Sequence, residues 1–321
     1  MSMAGGGNKT IGTINRRNFL KTAAIAGAGI AAASALSWPS VASMAENDTD
    51  QKGKPQIGPF NQLKVCGEEL ERFAWLRTSP IALKMLKSER EIPQGAVRPK
   101  KDRGEHLALC QALALARRQG TTLAMFIEDH WCFEPIISLG LVKPPDSYLD
   151  GSTSYPTFIR DKAAAAQNAQ EAPRFPYGEY EGLVCGPLKN VNFEPDMVLI
   201  YCNTGQLRYL LLALRYNKGY QVTSTFDPIG SCSIAIVPTI KNSECQIVVP
   251  DPGEYERAMT GEDEMILTIP RKLLDDLMLG IRHLEETVGG YKKFTYVVRP
   301  DFPQPPFYQE YFKMWGLDAP E

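Results

Sequence analysis

The spacing of apolar residues along the chain predicts short helices that alternate with short strands. Apolar residues recur three or four positions apart over 61–76 and 105–119, which is typical of amphipathic helices. Gly120 follows the second of these segments and is placed to end it. Further helices are predicted over 160–172, 207–216 and 271–287. Short runs of residues typical of strands, the most apolar of them at 197–201, predict strands over 81–86, 121–127, 197–201, 222–226, 246–249 and 265–269.

Alternation of helices with short strands predicts an α+β fold for a single domain over residues 59–290. Residues 46–58 are polar, have no apolar period and are interpreted as a linker. Residues 291–321 combine several prolines with aromatic residues, which predicts a tail that runs along the surface in an extended form. The remaining residues, 1–45, have the composition of a leader.

Two segments of the predicted domain resemble each other. A helix, Gly120, a strand, an acidic residue and Cys132 follow one another, and a helix, Gly219, a strand, Asp227 and Cys232 do the same. This order suggests two related strand–helix–strand halves, with Cys132 and Cys232 in equivalent positions. Chance similarity between two helix–strand units is the alternative.

The leader carries a motif that is typical of one export route. Its residues are Arg16, Arg17, Phe19, Leu20 and Lys21. Paired arginines followed by an aromatic residue, a leucine and a lysine resemble a twin-arginine signal peptide. The resemblance implies a partner, the twin-arginine export machinery, and a protein that folds before it crosses the cytoplasmic membrane.

The rest of the leader fits the same interpretation. An uncharged run rich in alanine and glycine covers residues 22–36, shorter than the about 20 residues of a membrane-spanning helix. Small residues then offer cleavage after Ala42 or Ala45. Delivery outside the cytoplasmic membrane is therefore expected. An ordinary secretory signal and an uncleaved leader that tethers the protein to the membrane are the alternatives.

Composition narrows the classes of partner. The chain has 321 residues and a formal net charge of −2, so no basic surface is expected that would bind nucleic acid. Its three histidines are too few for a histidine-rich metal site. His130 is the notable one, because Asp129 precedes it and Cys132 follows two residues later.

Cysteines are the candidate ligands. None of the seven forms a CxxC pair, so the spacing typical of zinc and iron–sulfur motifs is absent from the sequence. Cys132 and Cys232 lie at predicted helix starts, where a thiol pKa is expected to be lowered, and Cys110 lies on a predicted helix. These three, with His130 nearby, are the predicted metal or cofactor site. Cys185 and Cys202 lie in apolar strands and are expected to be core residues.

The order of several short motifs resembles domain-of-unknown-function family 169. The matching pieces are Ser79-Pro80-Ile81-Ala82-Leu83-Lys84, Cys110-Gln111-Ala112, Cys132 before Leu139-Gly140-Leu141, Pro195-Asp196-Met197-Val198-Leu199, Cys232, and Asp263-Glu264-Met265 leading to Ile269-Pro270. The family pattern often has a further cysteine before the acidic run, and Asp251 stands in that place here. The resemblance implies no established activity.

Three functions therefore stay open, and the sequence does not decide whether the protein is an enzyme. The first is an exported protein that holds a metal or an iron–sulfur centre through Cys110, Cys132 and Cys232. The second is an accessory or ligand-binding subunit whose cysteines are structural and whose aromatic tail, around Phe307 and Trp315, binds a protein partner. The third is a thiol enzyme with one reactive cysteine.

Overall fold

The computed structural model describes residues 60–291 and 306–317. Six strands form one sheet in which every pairing between neighbouring strands is antiparallel. The strands are β1 (Ile81–Leu86), β2 (Leu123–Phe126), β3 (Gly182–Pro187), β4 (Met197–Asn203), β5 (Gln246–Val248) and β6 (Glu264–Pro270). Their order across the sheet is β2-β3-β1-β4-β6-β5.

Eleven α-helices accompany the sheet within the described residues. They are α1 (Asn61–Phe73), α2 (Pro99–Arg103), α3 (Leu109–Gln119), α4 (Phe133–Ser138), α5 (Asp146–Leu149), α6 (Lys162–Glu171), α7 (Thr204–Lys218), α8 (Ser231–Lys241), α9 (Pro252–Arg257), α10 (Arg271–Val288) and α11 (Pro306–Met314). The predicted α+β class is confirmed. Among these described helices, none combines the length and the apolar character that a membrane span requires.

Both faces of the sheet are covered by helices, and most strand positions on both faces carry buried apolar residues. In β4, Val198 and Ile200 face helices α1, α7 and α10, while Leu199 and Tyr201 face helices α3 and α8. This alternation follows from the two-residue period of a strand. Helices α7 and α10 pack so closely that a Cβ added at Gly280 would lie 2.0 Å from the Ala213 carbonyl oxygen.

Most predicted elements are present, and two are not. Residues 222–226 form no strand; instead, the backbone N–H of Ile247 in β5 donates to Ser224 Oγ, 2.6 Å away. The Ser224 hydroxyl thus accepts a hydrogen bond from the edge strand β5 that a backbone carbonyl of a further strand would otherwise accept. In the tail, Pro306–Met314 is helical, so the predicted extended form is wrong for those residues. Residues 1–59, which contain the leader and the whole linker, lie outside the described residues.

The sheet order supports two related halves. The residues that occupy equivalent positions in the two halves differ from those that the sequence predicted. Each half contributes an inner strand, an outer strand and then a middle strand: β1, β2, β3 and β4, β5, β6. Between the inner and outer strands, α3 and α8 each have 11 residues and cover the same face. Cys110 and Cys232 are each the second residue of these helices. The predicted equivalence of Cys132 with Cys232 is therefore wrong.

The segments after the outer strands complete the correspondence. Cys132 is the N-cap of α4 and Asp251 is the N-cap of α9, and both helices have six residues. Cys132 therefore corresponds to Asp251. The predicted repeat fails in its details because α7 and residues 219–230 lie between β4 and α8 without a counterpart in the first half.

Candidate functional site

Two of the three predicted cysteines, Cys110 and Cys132, meet at one side chain, Arg257. Its Nε donates to Cys110 Sγ at 3.4 Å, and its Nη2 lies 4.0 Å from Cys132 Sγ. Cys232 is close enough to the other two thiols that negative charge on either would raise its pKa. Folding thus brings together three cysteines that are far apart in the sequence, and we call Cys110, Cys132 and Cys232 the thiol site.

Arg257 is held between several groups. Its guanidinium lies 4.8 Å from the centre of the Trp131 ring, within the range of a cation–π interaction. On another side it lies against Gly253, where an added Cβ would come within 2.3 Å of Nη2. Trp131 is itself oriented by Gln111, whose Oε1 accepts a hydrogen bond from the Trp131 indole N–H at 3.0 Å. A side chain at position 253 would therefore displace the Arg257 guanidinium from its present position.

Asp251 joins the two helices that border the site. Its Oδ2 accepts hydrogen bonds from the backbone N–H of Ser231 at 3.1 Å and from the Ser231 hydroxyl at 2.9 Å. Its Oδ1 accepts from the backbone N–H of Glu254 at 3.1 Å, which caps α9. Since Cys232 follows Ser231, this carboxylate positions the first turn of α8, and with it the Cys232 thiol.

Burial is the main influence on the pKa values of the three thiols, and it raises them, including those of the two thiols for which the sequence predicted a lowering. Burial raises the pKa of Cys110 to about 11, and the same cause raises the pKa of Cys132. The pKa of Cys232 is raised far more, by burial first and then by the charges of Asp251 and its neighbours. The predicted lowering at helix starts is wrong here, because loss of hydration outweighs the helix dipole. Near neutral pH the three thiols are protonated.

A buried polar network lies behind the thiol site. Tyr201 donates to Glu254 Oε1 at 2.9 Å, and Thr260 donates to Glu254 Oε2 at 2.8 Å. Arg117 donates to Thr260 at 3.1 Å, stacks on the Tyr201 ring and forms an ion pair with the buried Glu264. Burial raises the pKa of Glu254 from its ordinary value of 4.5 to about 7. This carboxyl group can therefore gain or lose a proton near neutral pH.

His130 and Asp129 do not join the thiols by any hydrogen bond. The His130 ring is buried, with no hydrogen-bond partner for either nitrogen among the described residues, and burial lowers its pKa to about 4. Asp129 is fully buried and accepts from Arg98 Nε at 2.7 Å. Asp129 is therefore a structural residue, which fixes the segment that leads to Cys132.

The remaining cysteines behave as predicted for core residues. Cys185 and Cys202 are buried in β3 and β4, and burial raises the pKa of each to about 12. All seven cysteines are free thiols, so no disulfide competes for the thiol site.

Some predicted residues fall outside the described part of the chain. These are Arg16, Arg17, Phe19, Leu20, Lys21, Ala42 and Ala45. In the tail, Trp315 stacks on Tyr311 within the turn that ends α11, at a ring distance of 5.7 Å.

No group of three His, Cys, Asp or Glu side chains in residues 60–291 and 306–317 is arranged so that it could hold a metal ion.

The sequence interpretation missed Arg257, Glu254 and the structural role of Asp251. An aspartate followed by proline is a typical helix start and could have indicated α9. The sequence contains no comparable indication for Arg257, because its contacts are with residues 125 and 147 positions away.

Comparisons with known proteins place the chain among uncharacterised relatives. Residues 69–280 match the model of the DUF169 family, described as uncharacterised ArCR. An uncharacterized protein of Methanocaldococcus jannaschii is 22% identical over 229 residues, which cover 70% of this chain and 96% of the relative. No solved structure matches the chain.

Proposed function

The chain belongs to the DUF169 family, and for this member we propose a redox function based on a metal centre held by Cys110, Cys132 and Cys232. The observation that supports the proposal is that Arg257 contacts the thiols of Cys110 and Cys132, while the Cys232 thiol lies close to both of them. Thiols that only pack in a core have no reason to approach one another from α3, α4 and α8 beside a polar side chain.

An iron–sulfur cluster suits this site better than a single ion. In a four-iron cluster each thiolate binds a different iron atom, so the sulfur atoms lie farther apart than they do around one ion. Asp251 stands where the family pattern often has cysteine, so this member supplies three thiolates and leaves one iron of a four-iron cluster without a thiolate.

Arg257 has a defined part in this proposal. Its half-buried side chain rests on two of the three thiols that would hold the centre. With a cluster bound to these thiols, Arg257 would supply a positive charge and hydrogen-bond donors beside it. Hydrogen bonds to sulfur are one of the means by which a protein tunes the reduction potential of a cluster.

Export in a folded state is the second part of the proposal. The motif at Arg16 and Arg17 supports the twin-arginine route, which accepts proteins that have already taken up a cofactor. Assembly of a cluster in the cytoplasm, followed by export of the folded protein, agrees with both the leader motif and the thiol site.

Removing single thiols tests the metal centre. Each of Cys110→Ala, Cys132→Ala and Cys232→Ala is expected to lose at least about tenfold in bound iron, because mutating even outer-shell partners costs about 10–100-fold in metal affinity. Cys66→Ala is the matched control, since Cys66 is buried on the opposite face of the sheet. Iron and visible absorption are measured on full-length proteins purified without oxygen. Equal iron in all four variants would contradict the proposal.

Replacing both leader arginines tests export. Arg16→Lys with Arg17→Lys is expected to retain the protein inside the cell, because the twin-arginine pair is the recognised feature of such leaders. Fractionation followed by immunoblotting measures the distribution. Lys21→Arg, which keeps the charge outside the pair, is the control, and equal export of both variants would exclude this route.

A further inference from the structure

A cavity lies beside the thiol site, between the first turns of α4 and α8 and helix α6. It has a volume of about 90 Å³ and adjoins a groove of about 410 Å³. Asn168, Asp227 and Ile234 are among the residues that line both, so the cavity and the groove are neighbours. Phe133 in the wall of the cavity directly follows Cys132, which places this space next to the thiols.

The charges that face this space are all negative. Glu134 and Asp227 line the cavity, and Glu171 and Glu244 line the groove. Within the described residues, no lysine or arginine lines either part, and neither Glu134 nor Asp227 forms an ion pair. Arg174 lies close enough to Tyr148 for its charge to oppose the rise in the pKa of that tyrosine. Its Nη2 group donates a hydrogen bond to the Ala169 carbonyl oxygen and not to a carboxylate of the cavity. A charge in a recessed position is favourable only with a partner, so the cavity favours a cation.

Aromatic rings supply a second and independent indication. Phe133 and Phe158 line the cavity although 52% and 59% of their surfaces are exposed. Tyr148 packs edge-to-face with Phe133, with ring centres 6.5 Å apart, and donates to Glu134 Oε2 at 3.4 Å. The faces of such rings attract organic cations, and aromatic cages recognise ammonium groups in this way.

We infer that the cavity binds a small organic ammonium compound, with Glu134 and Asp227 as charge partners and Phe133 and Phe158 as ring contacts. An amine donates hydrogen bonds to the two carboxylates and to the Ser233 hydroxyl, which also lines the cavity. The adjoining groove accommodates the rest of the molecule. This inference does not require that the thiol site hold metal.

Three probes of equal length test the inference on the full-length protein: n-butylammonium, 1-butanol and butyrate. Chemical-shift titration by NMR is expected to show n-butylammonium bound at least about fivefold more tightly than 1-butanol, as a cation–π contact with a carboxylate partner implies. Butyrate is expected to cause no shifts at the cavity. Equal binding of the three probes, or none, would overturn the inference.

Two variants locate the site. Phe158→Leu, which changes an exposed ring and spares the core, is expected to weaken n-butylammonium but not 1-butanol. Glu134→Gln, which keeps an acceptor for Tyr148, is expected to remove most of the preference for the cation. Glu68→Gln is the control, because Glu68 is exposed on α1. Unchanged affinity in both cavity variants would place binding elsewhere.

Failure of this inference is distinguishable from failure of the metal centre. Cys110 does not line the cavity, so Cys110→Ala is expected to lose metal while it binds n-butylammonium unchanged. Loss of probe binding in that variant would contradict a separate cavity site.

Discussion

Replacing Arg98 with methionine is expected to lower the free energy of unfolding by about 4 kcal/mol, because it leaves a buried carboxylate without its partner. Arg98 is 3% exposed, and its Nε donates to Asp129 Oδ2 at 2.7 Å. Its other nitrogens bind Glu89 and Glu128. After the change, Asp129 keeps the backbone N–H groups of Lys100 and Phe126, which do not replace a positive charge.

An exposed pair provides the control for this prediction. Arg77 and Asp263 form an ion pair with two hydrogen bonds, but each side chain is about half exposed. Arg77→Met is therefore expected to cost less than about 1 kcal/mol. Adding Asp129→Asn to Arg98→Met is expected to restore part of the loss, since no unpaired charge remains. Urea unfolding measures all the variants, and equal losses for Arg98→Met and Arg77→Met would refute the argument.

Glu254→Gln is expected to stabilise the protein at pH 8.5 by about 2 kcal/mol more than at pH 5. The pKa of Glu254 is higher in the folded chain, about 7, than its ordinary value of 4.5. Folding therefore takes up a proton between these values, and the wild-type protein loses stability as the pH rises through that range. Glutamine resembles the neutral carboxyl group and keeps an acceptor for Tyr201, so the variant avoids this loss.

The neighbouring Glu256 makes this test specific. It is exposed on the same helix, α9, and Glu256→Gln is expected to change the pH dependence little. Urea unfolding at pH 5, 7 and 8.5 gives the free energies. Parallel pH profiles for Glu254→Gln and the wild-type protein would mean that Glu254 is ionised at no extra cost.

Local sequence patterns predicted the strands and helix ends that depend mainly on neighbouring residues. Short apolar runs located β1 and β4, and glycines with positive φ end α3 and α7 where the sequence placed Gly120 and Gly219. Residues 222–226 misled the interpretation, because a short strand-like segment does not reveal that its serine hydroxyl accepts a hydrogen bond from the neighbouring strand.

The candidate site was predictable in its thiols but not in its surroundings. Residue type and predicted helix positions selected Cys110, Cys132 and Cys232 as one group, and the structure places two of them, Cys110 and Cys132, against Arg257. The position of Arg257 depends on how α9 packs against α3, and the pKa of each thiol depends on burial, so both are properties of the tertiary structure. Asp129, next to His130, resembled part of a reactive cluster in the sequence. Its partner in the structure is Arg98, which lies 31 residues earlier in the sequence.

The central claim is that the thiol site holds a metal centre, and metal content with an absorption spectrum tests it most directly. Full-length protein purified without oxygen, from cells that assemble it in the cytoplasm, is predicted to be coloured. It should contain several iron atoms per chain, a matching amount of acid-labile sulfide and thiolate-to-iron absorption that bleaches on reduction. Colourless protein without stoichiometric metal, with all three thiols free to react after unfolding, would contradict the claim.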